Sequence, residues 1–357
     1  MGVVLILLTM GLLLIFDVTA AQALSLHQEG VWMRPFFKQA VLAGCAIIIA
    51  IFSMKLSISR ILRWSPLFFW GLSFLLVLVL IPGCGQKIHG AKRWINWGGI
   101  HFQPSEWMKI AMPLYVVHRL HQSEGKITPS RFFLEMGRMF LPLILIWIEP
   151  DNGTVGILLI VLFTLFWLSA VPRYCLLIPM LLFGTAILGV VIYVPYVRDR
   201  ITAYLHPDED ILGKGHQPYQ AKIAIGSGGL YGKEGVQKFH YLPEARHDYI
   251  AAIYAEEQGF LGMLWLLLLY SIIAIIGFSI SGGVKEAKEG AIALSSTLLI
   301  VLQSTLNLAI VAGILPSKGM SLPFFSQGGS ALLSHGMAIG LLLRIANSGG
   351  GHQIVQK

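Results

Sequence analysis

The sequence predicts an all-α integral membrane protein, about ten transmembrane helices with one large extracytoplasmic loop. Three observations carry this. Of 357 residues, 55% are hydrophobic and 12% charged, with a mean hydropathy of +0.72; soluble domains carry roughly 25% charged residues. Apolar runs long enough to cross a bilayer as a helix, about 20 residues, recur along the chain. One stretch, residues 197–257, breaks the pattern and is dense in ionisable groups.

The ten runs lie at about 3–24, 36–54, 66–82, 105–121, 131–149, 153–171, 174–196, 250–280, 287–314 and 324–347. The first lacks a basic leading region and is expected to be a transmembrane helix rather than a cleaved signal. The fifth and sixth are parted by Glu149-Pro150-Asp151-Asn152-Gly153. Pro and Gly interrupt a helix there, and acids avoid hydrocarbon, so a tight hairpin at the surface is expected. An even number of spans puts both termini on one side. Lys and Arg divide almost equally between the two sides, so the raw count gives no orientation. With the 197–249 loop set aside, the termini fall in the cytoplasm and the loop outside. The outer face then keeps basic residues that topology does not explain. The chain reads as one membrane domain, 1–357, with a short cytoplasmic tail at about 348–357.

The net charge of +8 sits in short loops between apolar runs. Such a pattern excludes nucleic acid as a partner and favours anionic headgroups or a phosphorylated lipid. Cys45, Cys84 and Cys175 are odd in number and have no paired spacing, so neither a disulfide framework nor a metal motif is expected.

Four polar clusters interrupt the apolar runs. The first, from His89 through Lys92-Arg93-Trp94-Ile95-Asn96-Trp97, leads into Gln103-Pro104-Ser105-Glu106 and Lys109. An interfacial belt accounts for the tryptophans and basic residues. It does not account for Glu106 and Lys109, one turn apart at the start of a span, with Ser105 as a helix N-cap. In the second, Asp151 suits a turn or an N-cap. The third is the long loop, with Gly226-Ser227-Gly228-Gly229, Gly232, His240, His247 and Asp248. Its glycines match neither a P-loop nor a dinucleotide fingerprint, and tight turns or close backbone approach explain them better. Asp248 precedes the apolar run Tyr249-Ile250-Ala251-Ala252-Ile253, where it is either a helix cap or a general base near the membrane boundary. The fourth, Gly313 to Ser330, carries Pro316 and Pro323 between glycines and describes an ordered re-entrant turn. Gln303 and Asn307 lie one turn apart inside an apolar run and are expected to join helices by hydrogen bonds.

Together these segments resemble the SEDS family (shape, elongation, division and sporulation). Lys92-Arg93-Trp94-Ile95 with Gln103-Pro104-Ser105-Glu106 and Lys109 is similar to its first outer-loop signature, and Pro150-Asp151-Asn152-Gly153-Thr154 to its second. Tyr241-Leu242-Pro243-Glu244 with Asp248, then Glu256-Glu257-x-Gly259, resembles the large-loop signature. Leu322-Pro323-Phe324-x-Ser326-x-Gly328-Gly329-Ser330 resembles the last. Gln237-Lys238, Lys318-Gly319 and Ile15 to Ala20 look more like the FtsW branch than the RodA branch. The chain departs from the pattern at Arg246-His247, where His-Thr is usual, and at Gln327, where Tyr is usual.

The resemblance implies a peptidoglycan glycosyltransferase that polymerises lipid II at the outer face of the bacterial cytoplasmic membrane, for septal or lateral wall synthesis. It implies Asp248 as the catalytic base. Lys92, Arg93, Trp94, Gln103, Ser105, Glu106, Lys109, Asp151, Gln220, Glu244, Ser326 and Ser330 are the expected substrate-binding residues. A divalent cation, Mg or Mn, is the one cofactor considered, at the diphosphate. The implied partners are a class B penicillin-binding transpeptidase and other membrane proteins of the division or elongation machinery. A lipid II flippase and a non-catalytic scaffold for the transpeptidase are the alternative classes.

Overall fold

The structure is a computed structural model that describes residues 1–26, 33–88, 91–98, 100–122, 128–169, 171–193, 204, 216–233, 246–316 and 318–349. Each of the ten apolar runs holds a helix: α1 (Gly2–Leu26), α2 (Arg34–Lys55), α3 (Ile58–Leu80), α4 (Pro104–Gln122), α5 (Pro129–Ile148), α6 (Asn152–Leu168), α7 (Arg173–Tyr193), α9 (Ile250–Gly283), α10 (Ala287–Val311) and α11 (Gly329–Gly349). A shorter helix, α8 (His216–Gly228), lies in the long loop. Among the described residues six helices, α1, α2, α3, α9, α10 and α11, are long and apolar enough to cross a membrane, and the chain is a multi-pass membrane protein. Large apolar side chains face outward on them, among them Leu67, Trp70 and Phe74 on α3 and Leu264, Leu268 and Ile275 on α9. Hydrocarbon, unlike water, accepts such a surface.

A small antiparallel sheet, not expected from the sequence, consists of β1 (Gly85–Ile88), β2 (Ala91–Trp97) and β3 (Ile100–Phe102) in the order β1-β2-β3. Trp94 is opposite Gln86, and Ile95 is opposite Phe102. Aromatic and β-branched residues suit a pleated surface, and the Lys92–Trp97 cluster lies on a strand.

The chain forms two compact units: residues 1–43, 180–273 and 301–328, and residues 44–179, 274–300 and 329–357. In the first, the segment Leu322–Gly328 takes the place of the first turns expected of the last span. The Tyr270 hydroxyl donates to the Pro323 carbonyl. Gln39 donates through Nε2 to the Ser326 carbonyl at 3.2 Å and accepts from Gly328 N at 3.4 Å. Phe325 meets Tyr254 edge to face, with centroids 5.3 Å apart. The expected re-entrant turn is therefore ordered by hydrogen bonds from two helices.

Of the loop glycines, Gly228 and Gly232 make the expected close backbone approach and Gly229 takes a positive φ, whereas Gly226 does neither. Gly259, at φ +65°, kinks α9. Around it Lys233 N donates to Glu256 O at 3.0 Å, Phe260 N to Gly229 O at 2.9 Å and Leu261 N to Leu230 O at 3.2 Å. Gly232, at φ +87°, sits against the Glu257 carbonyl, where a Cβ would collide. The glycines let two main chains touch.

In the second unit, α3 lies along α4, with Phe69 stacked on Tyr115 at 4.4 Å. Gly336 and Gly340 on α11 face α2; a Cβ on Gly336 would meet the Ala46 carbonyl at 2.6 Å. Small residues spaced by four let membrane helices approach to backbone contact.

Candidate functional site

In the first unit Asp248 closes a turn immediately before α9 and is half-buried. Its main-chain carbonyl accepts from Asn307 Nδ2 at 2.9 Å. Its Oδ2 lies over Gly319, where an added Cβ would come within 2.9 Å. The two departures from the family pattern meet here. Gln327 N donates to the Arg246 carbonyl at 2.9 Å, and His247 Nδ1 lies 2.8 Å from the Gln327 carbonyl. A carbonyl only accepts, so Nδ1 carries the hydrogen in that contact. The residues before Asp248 are thus tied to the 322–328 segment by the substituted positions themselves. Ser326 is buried, and its hydroxyl accepts from Leu322 N at 2.7 Å, closing the turn. Gln220 is half-buried on α8. Glu244 and His240 lie outside the described residues.

In the second unit the polar residues converge on Asp151. It caps α6, accepting from Thr154 N at 3.4 Å through Oδ1. Through Oδ2 it accepts from the Ser105 hydroxyl at 3.1 Å and from Gln103 Nε2 at 3.3 Å. Asp151 is therefore the N-cap that its position suggests, and it also gathers Ser105 and Gln103. Ser105 is not the cap that its sequence position suggests: α4 begins one residue earlier, at Pro104, and the Ser105 hydroxyl donates to Asp151. Gln103 N donates to Ser330 Oγ at 2.9 Å, and Ser330 in turn donates to the His101 carbonyl at 3.3 Å. These bonds pin the start of α4, which carries Glu106 and Lys109. Their charges meet at 2.7 Å.

Arg93, on β2, donates from Nε to Glu149 O at 2.7 Å and from a terminal nitrogen to Pro150 O at 2.6 Å. These are carbonyls at the C-terminal end of α5, where a cation is favoured. Lys92 and Trp94, its neighbours on β2, are partly exposed. Beneath the clasp the Glu149 carboxyl is 1% exposed, and neither oxygen has a hydrogen-bond partner. Burial, reinforced by Asp151 and opposed by Arg93, pushes its pKa up to about 9. It is a neutral acid at neutral pH.

Three residues of the site escape sequence reasoning. Glu149 reads there only as part of a turn. Asn307 is expected to bind a helix, yet it holds the main chain of Asp248. Gly319 reads as turn chemistry. An amide in the middle of an apolar run is the one visible signal.

Among the described residues no three His, Cys, Asp or Glu side chains come together as metal ligands.

The family model described as cell cycle protein, FtsW/RodA/SpoVE, matches residues 1–349. Stage V sporulation protein E of Bacillus subtilis is 36% identical over 354 residues, covering 96% of this chain and 95% of that one. A probable peptidoglycan glycosyltransferase FtsW of Trichlorobacter lovleyi is 32% identical over 342 residues, covering 94% of this chain and 89% of that one. Two solved structures share the fold. One is described as "Structural coordination of polymerization and crosslinking by a peptidoglycan synthase complex", with TM-score 0.78, 24% identity and 96% of each chain covered. The other is the rod shape determining protein RodA of Thermus thermophilus, with TM-score 0.70, 23% identity, and 97% of this chain and 95% of that one covered. With a full-length family match and relatives above 30% identity, the chain belongs to the FtsW/RodA/SpoVE family of cell cycle proteins.

Proposed function

We propose that this protein is a peptidoglycan glycosyltransferase that polymerises lipid II, an undecaprenyl-diphosphate-linked disaccharide peptide, at the outer face of the cytoplasmic membrane. Lipid II is the acceptor, and the growing glycan on its lipid diphosphate is the donor. The acceptor's sugar 4-hydroxyl attacks the donor's anomeric carbon, and the bond from that carbon to the diphosphate breaks. Asp248 takes the hydroxyl proton, which raises the nucleophile's reactivity as the bond forms. Attack opposite the leaving group inverts the anomeric centre. Negative charge grows on the departing diphosphate, and fixed cations lower the barrier where it develops. Lys92, Arg93 and Lys109 are the cations assigned to it. Glu106 holds Lys109, while Gln103, Ser105, Asp151 and Ser330 hold the helix start that carries both. Trp94, Gln220, Glu244 and Ser326 complete the assigned substrate-binding set. Mg²⁺ is commonly held through substrate phosphates with one or two carboxylates, so a divalent ion would arrive with the diphosphate rather than reside in the protein.

The observation that carries this reading is the seat of Asp248. Its main chain is fixed by Asn307 and its carboxylate rests on Gly319. A general base needs such restraint, because its geometry must be right before its pKa matters.

Both termini are assigned to the cytoplasm and the long loop to the outside. A class B penicillin-binding transpeptidase is the assigned partner, within the division machinery or the corresponding elongation machinery. Purified protein, with and without that transpeptidase, is incubated with lipid II and the products are resolved by length. Long glycan strands support the proposal. Transfer of labelled lipid II across a liposome bilayer without strands identifies a flippase. Neither activity, with the transpeptidase still bound, identifies a scaffold.

A further inference from the structure

Helix α10 is apolar except for a few side chains, and two of these, Gln303 and Asn307, are each 1% exposed. Buried amides seek partners. Both find partners on the main chain of the re-entrant segment. Gln303 Nε2 donates to the Ser321 carbonyl at 2.9 Å. Asn307 Nδ2 donates to the Met320 carbonyl at 2.6 Å and to the Asp248 carbonyl at 2.9 Å. Both acceptors are carbonyls, so only the NH₂ of the amide can face them. One side chain thus ties the main chain of Asp248 to the segment that follows Gly319.

Gly319 completes the seat. It is not among the residues at positive φ, so backbone freedom does not explain a glycine there. Space does. An added Cβ would stand 2.9 Å from Asp248 Oδ2 and 3.8 Å from its Cγ, with no other described atom within 4 Å outside the adjoining residues. A methyl group at this position would leave the local backbone unstrained and displace the carboxylate.

We propose that Asn307 and Gly319 are positioning residues for Asp248: Asn307 fixes its main chain, and Gly319 leaves vacant the space its carboxylate occupies. This rests on the assignment of Asp248 as the base. Misplacing a catalytic group by about 1 Å can cost on the order of 100-fold in rate.

The test compares Gly319→Ala, Asn307→Asp and Asp248→Asn in full-length protein with its transpeptidase bound, reading initial polymerisation rate against lipid II concentration. Gly319→Ala is expected to lower kcat about 10- to 100-fold, with KM, melting temperature and transpeptidase capture unchanged. Asn307→Asp, which loses both donors, is expected to lower kcat as well. Wild-type kcat in Gly319→Ala beside an inactive Asp248→Asn overturns the positioning role and leaves the base standing. A fall in kcat matched by falls in melting temperature and transpeptidase capture also overturns it, in favour of a purely structural role. An active Asp248→Asn removes the base itself, and the positioning role with it.

Discussion

Lys109 Nζ lies 2.7 Å from Glu106 Oε2, one turn away on the same helix, and both residues are buried. Breaking such a pair leaves a charge in low dielectric, which costs about 3–5 kcal/mol, whereas replacing both partners by apolar groups of similar size is often neutral. Glu106→Gln and Lys109→Met should each lower the melting temperature, and Glu106→Leu/Lys109→Met should recover most of it. Polymerisation should stay lost in the double variant, because Lys109 is assigned to the diphosphate. Recovery of both stability and activity would make the pair structural only. Lys109→Ala should impair donor use more than transpeptidase binding, as read by strand synthesis and co-purification; equal loss of both would point to misfolding.

Asp151 accepts from Ser105, Gln103 and Thr154. Asp151→Ala removes an N-cap worth about 1 kcal/mol and takes the acceptor from the buried Ser105 hydroxyl at about 1–3 kcal/mol, while Gln103 Nε2 keeps the Ser105 oxygen at 3.0 Å. Ser105→Ala removes one donor and should cost about 1 kcal/mol. Thermal unfolding in detergent should rank Asp151→Ala well below Ser105→Ala. An equal or reversed order would contradict the hub.

Glu149 predicts a pH dependence of stability. Its ordinary pKa is 4.5, and burial raises it to about 9. Over that window the folded chain holds a proton that the unfolded chain releases, so stability falls as pH rises. The contribution is complete below the ordinary pKa and is lost as pH passes the raised one. Glu149→Gln should flatten the melting temperature between about pH 6 and 9. The same slope in wild type and variant would show that Glu149 does not set it.

Gly232 sits at φ +87° against the Glu257 carbonyl. Gly232→Ala adds backbone strain of about 1–3 kcal/mol, together with a clash with main chain that cannot yield easily. Protease sensitivity of the 229–233 segment should rise sharply, while Gly226→Ala, which meets nothing within 4 Å, should leave it unchanged. Equal sensitivity in both variants would mean the main chains do not touch.

The helices were legible because a bilayer imposes length and polarity on every helix that crosses it, and among the described residues six of the ten are long and apolar enough to do so. Each apolar run holds a helix, and the Glu149–Gly153 break parts two helices as expected. The sheet was not legible, since strands as short as Ile100–Phe102 carry no periodicity to read. The polar clusters named most site residues, but they did not reveal who holds whom. Ser105 looked like a cap because of its place before a helix, while its partner, Asp151, lies 46 residues away. Gly319 and Asn307 looked like a turn and a helix contact. Their bearing on Asp248 depends on main chains brought together across a sequence separation of 59 residues, which no local pattern encodes.

The central claim is that Asp248 is the base for glycan polymerisation. Its most direct measurement is lipid II polymerisation by purified Asp248→Asn protein with its transpeptidase bound, beside wild type. Asn keeps the size and most of the contacts but cannot accept the proton. The expected result is normal membrane insertion and transpeptidase binding with no glycan strands. Strands made at the wild-type rate would contradict it.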